Sequence, residues 1–270
     1  MLFRSGLFSA SGPFFHPTDP VQDYPDAWKT NLIRAAEQIL QGCIRYYAYH
    51  WLVVGTPPNW FLNPFNGKAW PADRQHWTDI TDFHTDLGDI KHIWEASRLE
   101  WAVTLARAYA VSGQSVYLDT LNQWLGDWLL KNPVNTGPNW KCGQEASIRI
   151  FNLLLASHIL KQTQNTSPAL QEFVYRHLER ISANIRYAVA QDNNHGTSEA
   201  AALFIGGLWC ANADSEGSKA AADDPSAGKN AGHSAGNAAV GDSRKKRQKR
   251  YHYFARQGRK WLENRLEKLV

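Results

Sequence analysis

The residues best suited to chemistry lie in Asp192-Asn193-Asn194-His195-Gly196, followed at once by the apolar run Thr197–Cys210. Two side-chain amides, an imidazole and a glycine stand where a polar turn meets a helix start. The first backbone N–H groups of a helix have no intrahelical partner, so such a turn sets side chains at fixed angles beside free donors. An amide there can hold a substrate carboxylate, and the imidazole can move a proton. The same residues also have a plain structural use, because Asn makes Asx-turns and caps helices. Spacing alone leaves both readings open.

A second set lies upstream. Asn135–Trp140 is a turn-rich loop, and Gly143–Gln162 reads as a helix with the polar stripe Glu145, Arg149 and Asn152 at steps of three and four. Glu145 and Arg149 can pair on a solvated face, or the stripe can line a cleft and present a guanidinium to a carboxylate or sulfate. Asp79, Asp82, His84 and Asp86 form an acidic group without diagnostic metal-ligand spacing and read as a solvated loop. No metal or cofactor is expected.

The elements that must position these groups are helical. Trp28, Leu32, Ile39 and Cys43 recur at helical spacing in a first helix over Asp23–Tyr49. The stretch Trp51–Asp89 is loop-rich, punctuated by Pro57-Pro58, Asn63-Pro64 and Trp70-Pro71, with a hairpin signal at Phe65–Ala69. A long helix follows from Asp89 to Ser112, with Lys91, Glu95 and Arg98 as a charged stripe. Further helices span Ser115–Lys131, Pro168–Gln191 and the small-residue-rich Thr197–Cys210. Residues 1–22 read as an irregular arm. Ala211–Ser243 is low in complexity and, with the basic run Arg244–Arg250, reads as a disordered insert at 211–250. Helical pattern resumes over Tyr253–Val270. The expected fold is therefore all-α, an incomplete α/α toroid of stacked antiparallel hairpins over 23–270. In it Asn139-Trp140 and Asn193-Asn194-His195, which both precede helices, could meet at one rim.

The composition agrees with a globular chain: 270 residues, 43% hydrophobic and 20% charged. Twelve Trp suit a sugar-binding cleft as well as a core. The net charge of +4 favours a polyanionic partner only mildly. Cys43, Cys142 and Cys210 give neither a disulfide framework nor a metal cage. No apolar run reaches membrane-spanning length, and no signal peptide is read at the start. Neither a nucleic acid nor a membrane is expected as partner.

Four stretches in order carry a resemblance: Gly88-Asp89-Ile90-Lys91-His92-Ile93-Trp94-Glu95-Ala96-Ser97-Arg98; Trp128–Pro133; Gly137-Pro138-Asn139-Trp140 with Gln144-Glu145-Ala146-Ser147-Ile148-Arg149; and Asn193-Asn194-His195. Together they resemble the N-terminal toroid domain of the heparinase II/III-like polysaccharide lyases, which act on heparan sulfate and alginate. The resemblance covers roughly 60–210 and, more weakly, 251–270. It implies β-elimination on a uronate glycan without a cofactor, and export from the cell. Asn194 would neutralise the uronate carboxylate and His195 would contact it or act as base. Asn139, Trp140, Glu145, Arg149 and Asn193 would bind substrate. The family's Tyr-His segment and its β-sandwich domain are not found in the sequence, so the chain reads as a fragment of a lyase. Two other readings remain: a non-catalytic glycan-binding toroid, and a hydrolase, which would need two carboxylates flanking a groove, with Glu95, Glu145 and Glu199 available.

Overall fold

A computed structural model describes residues 12–20, 25–71, 75–222 and 234–268, with side chains outside 214–242. The helix α1 (Asp26–Leu40) buries Leu32, Ala36 and Ile39 and stops earlier than its periodicity implies. Gly42, at φ +82°, turns the chain, and its carbonyl accepts from the N–H groups of both Val54 and Gly55. The next residues pair as an antiparallel hairpin, β1 (Cys43–Tyr46) with β2 (His50–Val53), so the expected helix over 41–49 is corrected to a strand and turn. Ile and Tyr favour the pleated conformation once a glycine has ended the helix. Two shorter hairpins follow, β3 (Leu62–Asn63) with β4 (Lys68–Ala69) and β5 (Phe83–His84) with β6 (Gly88–Asp89). The Phe65–Ala69 signal falls on the first of these.

The expected single helix from Asp89 to Ser112 is two, α2 (Lys91–Ser97) and α3 (Glu100–Ser112). They part at Leu99, fully buried and at φ +66°, a conformation uncommon for a non-glycine residue. Burial of its side chain holds it there, and the Arg98 carbonyl freed by the break accepts from Asn152 Nδ2 at 2.8 Å. Beyond it run α4 (Ser115–Lys131), a 3-10 turn at Pro138–Trp140, α5 (Gly143–Ile159), α6 (Pro168–Ala190), α7 (Asn194–Ala222) and α8 (Ser234–Glu267).

The helices pack in two layers. α1, α3, α5 and α7 touch in that order, while α4, α6 and α8 back them. This is the all-α, toroid-like arrangement of antiparallel hairpins expected from the helical periodicities. Most of the tryptophans are core: Trp60, Trp101 and Trp124 meet with ring centres 5.2–6.5 Å apart. Of the expected arm, residues 12–20 are described, and they carry no helix or strand yet are firmly held; residues 1–11 and 21–22 lie outside the described residues. Asn122 of α4 accepts from the N–H groups of Phe14 and Phe15 and donates to the Phe15 carbonyl, and both Phe rings are buried.

Disorder over 211–250 is corrected on both sides, since α7 runs on to Ala222 and α8 begins at Ser234; residues 223–233 lie outside the described residues. α7 and α8 approach backbone to backbone. A Cβ on Gly207 would stand 2.7 Å from Ala255 N, and one on Gly258 would overlap Phe204 N and Ala200 O. That contact explains Ala200 and Gly207 of α7, while Gly206 makes room for Leu178 and Ile150. A Gly258→Val variant must push the helices apart, and overpacking of this kind costs about 1–3 kcal/mol. Its thermal midpoint should fall clearly below that of the wild type, and an unchanged midpoint would contradict the close contact.

Candidate functional site

The loops before α5 and α7 open on one cleft of about 850 Å³, bounded also by α2 and α6. α6 ends at Ala190, Asp192 turns the chain at φ +49°, and Asn193 caps the next helix, its Oδ1 accepting the His195 N–H at 2.9 Å. Asn194 reaches across the cleft rim and donates its Nδ2 to Gln144 Oε1 at 2.9 Å. One N–H of that amide remains for a ligand. The same turn is tied to α8, because Arg265 pairs with Asp192 and donates to the Asn193 carbonyl. The capping use of the Asn residues and their place at a cleft thus coexist.

His195 is half-buried in the cleft wall, and its Nδ1 lies 3.5 Å from Glu199 Oε1 one turn along α7. Burial pushes the imidazole below the ordinary histidine range, although the Glu145 charge works the other way. The Glu199 carboxyl is 3% exposed, and burial pushes it up to about 7 against the opposing pull of Arg180. A neutral imidazole therefore faces a carboxyl that holds its proton nearly to neutrality. Gly143 makes room for this carboxyl, since a Cβ there would overlap both carboxylate oxygens.

Opposite stands Arg98. Its Nε and Nη2 grip Glu145 at 2.8 and 2.9 Å, and Nη1 pairs with Glu95. Burial works against the guanidinium, but the hydrogen bonds and charges of Glu145 and Glu95 outweigh it and hold its pKa above the ordinary value. Lys91, expected in the same stripe, pairs instead with Asp89 at 3.5 Å. On the α6 side, Arg180 lies flat on Trp77, 3.7 Å from the ring centre, and donates to the carbonyls of Trp140 and Lys141. Burial pulls its pKa down to about 10.

Asn194, His195 and Glu145 line the cleft, as does Gln144, and Asn193 caps beside it. Asn139, Trp140 and Arg149 do not reach it: all three are fully buried behind its floor. Arg149 was expected to pair with Glu145 or to face a substrate anion. It donates instead to His177 Nε2 at 2.9 Å and the Asn139 carbonyl at 2.7 Å, lies near the rings of Trp128 and Trp140, and burial pushes its pKa down to about 10. These three hold the floor in place. Gln144, Arg180 and Tyr187 are cleft residues given no role from sequence, and Glu199 was named only as a carboxylate for the hydrolase reading. For Glu199 the signal was present: His195 and Glu199 are four apart on one helix, hence on one face.

Among the described residues no group of three or more His, Cys, Asp or Glu side chains stands close enough to hold a metal ion, and no helix is long and apolar enough to cross a membrane. No curated protein and no solved structure matches the chain. The family model described as Heparinase II/III N-terminus matches residues 43–212, which takes in both turns of the cleft and all of its walls up to α7. The chain belongs to the heparinase II/III N-terminal family, a polysaccharide lyase-related group.

Proposed function

We propose that the cleft binds a uronic-acid polysaccharide and takes part in its cleavage by β-elimination. The observation that carries this reading is the convergence of Asn194, Gln144, His195 and Glu199 on one cleft from two separate turns. A uronate C5–H is a weak acid because its carbanion would sit beside a carboxylate already bearing charge. A donor fixed against that carboxylate stabilises the developing charge, and prior fixation spares reorganisation during the reaction. Asn194, already braced by Gln144, serves as that donor. Neutral His195 takes the C5 proton; the electron pair forms the C4–C5 double bond as the C4–O4 bond breaks. The departing oxygen takes a proton from an acid at the cleft mouth, where Tyr187, 69% exposed as a residue, presents its phenol. Glu199 holds the imidazole from behind. No cofactor enters this scheme.

Hydrolysis is the weaker reading, since Glu145 is already neutralised by the Arg98 fork and Glu199 is buried. A pure glycan-binding role shares the cleft but leaves the His195–Glu199 pair unused. Carboxyl reduction of an unsulfated polyuronate such as alginate, which turns each uronate into a neutral sugar, separates charge recognition from shape. Wild-type protein should neither bind nor cleave the reduced polymer. Equal binding of both polymers would overturn the proposal.

A further inference from the structure

Burial sorts the twelve tryptophans from core to surface. Eight are core residues and Trp77 and Trp261 are half-buried, while Trp28 is 67% and Trp51 38% exposed. These two exposed indoles, one on α1 and one on β2, border the same groove of about 530 Å³ between α1, the first hairpin and α3. Large apolar rings left at the surface together mark a binding face more often than scattered ones do. Arg45 and Arg107 also border the groove, with the Arg45 guanidinium 6.0 Å from the Trp51 ring centre. Asn31 and Thr104 add hydrogen-bonding groups, and Glu100 supplies the lone carboxylate among the lining residues.

We propose that this groove is a second saccharide site, which takes a segment of an acidic glycan apart from the cleft. The indole faces suit the apolar C–H faces of pyranose rings, while their edges leave the sugar hydroxyls to polar neighbours. Two guanidiniums against one carboxylate select an anion, and a guanidinium fork fits a carboxylate or sulfate in two-point fashion. The volume falls within the range of about 300–1,000 Å³ usual for small-ligand sites. The groove is distinct from the cleft but adjoins it. Asn152 lines the groove and donates to the carbonyl of Arg98, whose side chain lines the cleft, so the α2–α3 break is the wall between them. A polymer long enough to engage both sites gains avidity that a short ligand cannot. The choice of an acidic glycan as ligand rests in part on the reading of the cleft; the groove's own residues point the same way.

The test is calorimetric titration of the full chain with two size-defined probes, a heparin-derived and an alginate-derived hexasaccharide, alongside a neutral glucan hexamer. Three variants are compared: Trp28→Ala/Trp51→Ala, Arg107→Gln and Asn194→Ala. All change exposed or half-buried side chains, and circular dichroism checks that each folds. For at least one acidic probe, the double Trp variant should lose one binding event or weaken it about tenfold or more, Arg107→Gln should weaken the same event, and Asn194→Ala should retain it. If neither acidic probe distinguishes the Trp variant from wild type, if Asn194→Ala removes all binding, or if the neutral glucan binds equally, the proposal is overturned. An event lost with the tryptophans in a protein whose Asn194→Ala variant binds and turns over as wild type would instead keep the groove and discard the cleft reading.

Discussion

Asn194→Ala should slow elimination on a uronate glycan by about 10²–10³-fold, the usual cost of removing one preorganised donor from a developing oxyanion. Folding stability should hardly change. Asn194 is exposed and gives up one hydrogen bond to Gln144 at the rim, and a single intramolecular hydrogen bond is worth about 1 kcal/mol or less at such a site. Loss of rate with an unaltered thermal midpoint would therefore place the effect on the reacting carboxylate. Gln144→Ala should show a smaller version, because it frees the Asn194 amide to rotate without removing it. An Asn194→Ala variant that cleaves at the wild-type rate would show that its amide does no chemistry and only borders the turn.

The second large effect is on stability and its dependence on pH. Glu199 titrates near 7 in the folded protein against an ordinary value of 4.5, with burial as the main cause. The native state thus binds a proton that the unfolded chain has released, and stability contributed by this group is complete below about pH 4.5 and lost as pH rises through about 7. A shift of that size corresponds to about 3 kcal/mol. Glu199→Gln keeps the shape and cannot ionise, so the stability of wild type minus that of the variant should fall as pH is raised from about 5 to about 8. Urea unfolding at several pH values measures the difference directly. A flat difference would mean that the carboxylate is tolerated inside and that His195 has no protonated neighbour. His195 has the opposite sign: burial depresses it, so the neutral base persists below the ordinary histidine pKa, and the acid limb of any pH–rate profile should lie there too.

Much of this could be seen in the residue pattern. The apolar stripes of α4, α5 and α6 set those helices to within a few residues, because each has one face in the core and little in the sequence competes with helix formation. The placing of Asn139-Trp140 and Asn193-Asn194-His195 before helices pointed to one rim; the second turn lies there with Gln144 and Glu145, while Asn139 and Trp140 are buried behind it. What could not be read depends on contacts distant in sequence. Nothing in a leucine announces that Leu99 will adopt positive φ; the surrounding core imposes it. A polar stripe shows which residues share a face, but not whether that face meets solvent or another layer. Arg149 belongs to Glu145's stripe and is fully buried by Trp128, Trp140 and His177, while Glu145 finds its partner in Arg98, 47 positions earlier. The hairpin at β1–β2 was hidden because Cys43 happened to continue the helical spacing of α1. The helical ends inside the low-complexity stretch were hidden because its composition argues against intrinsic order; they continue α7 and α8, whose packed parts lie on either side of it.

The most direct test of the lyase reading follows wild-type protein on uronate polysaccharides by two readouts at once, the ultraviolet absorbance of an unsaturated uronate and the appearance of reducing ends. Elimination produces both in equal amount. Reducing ends without absorbance would mean hydrolysis, and tight binding with neither signal would leave a glycan-binding domain in place of a lyase.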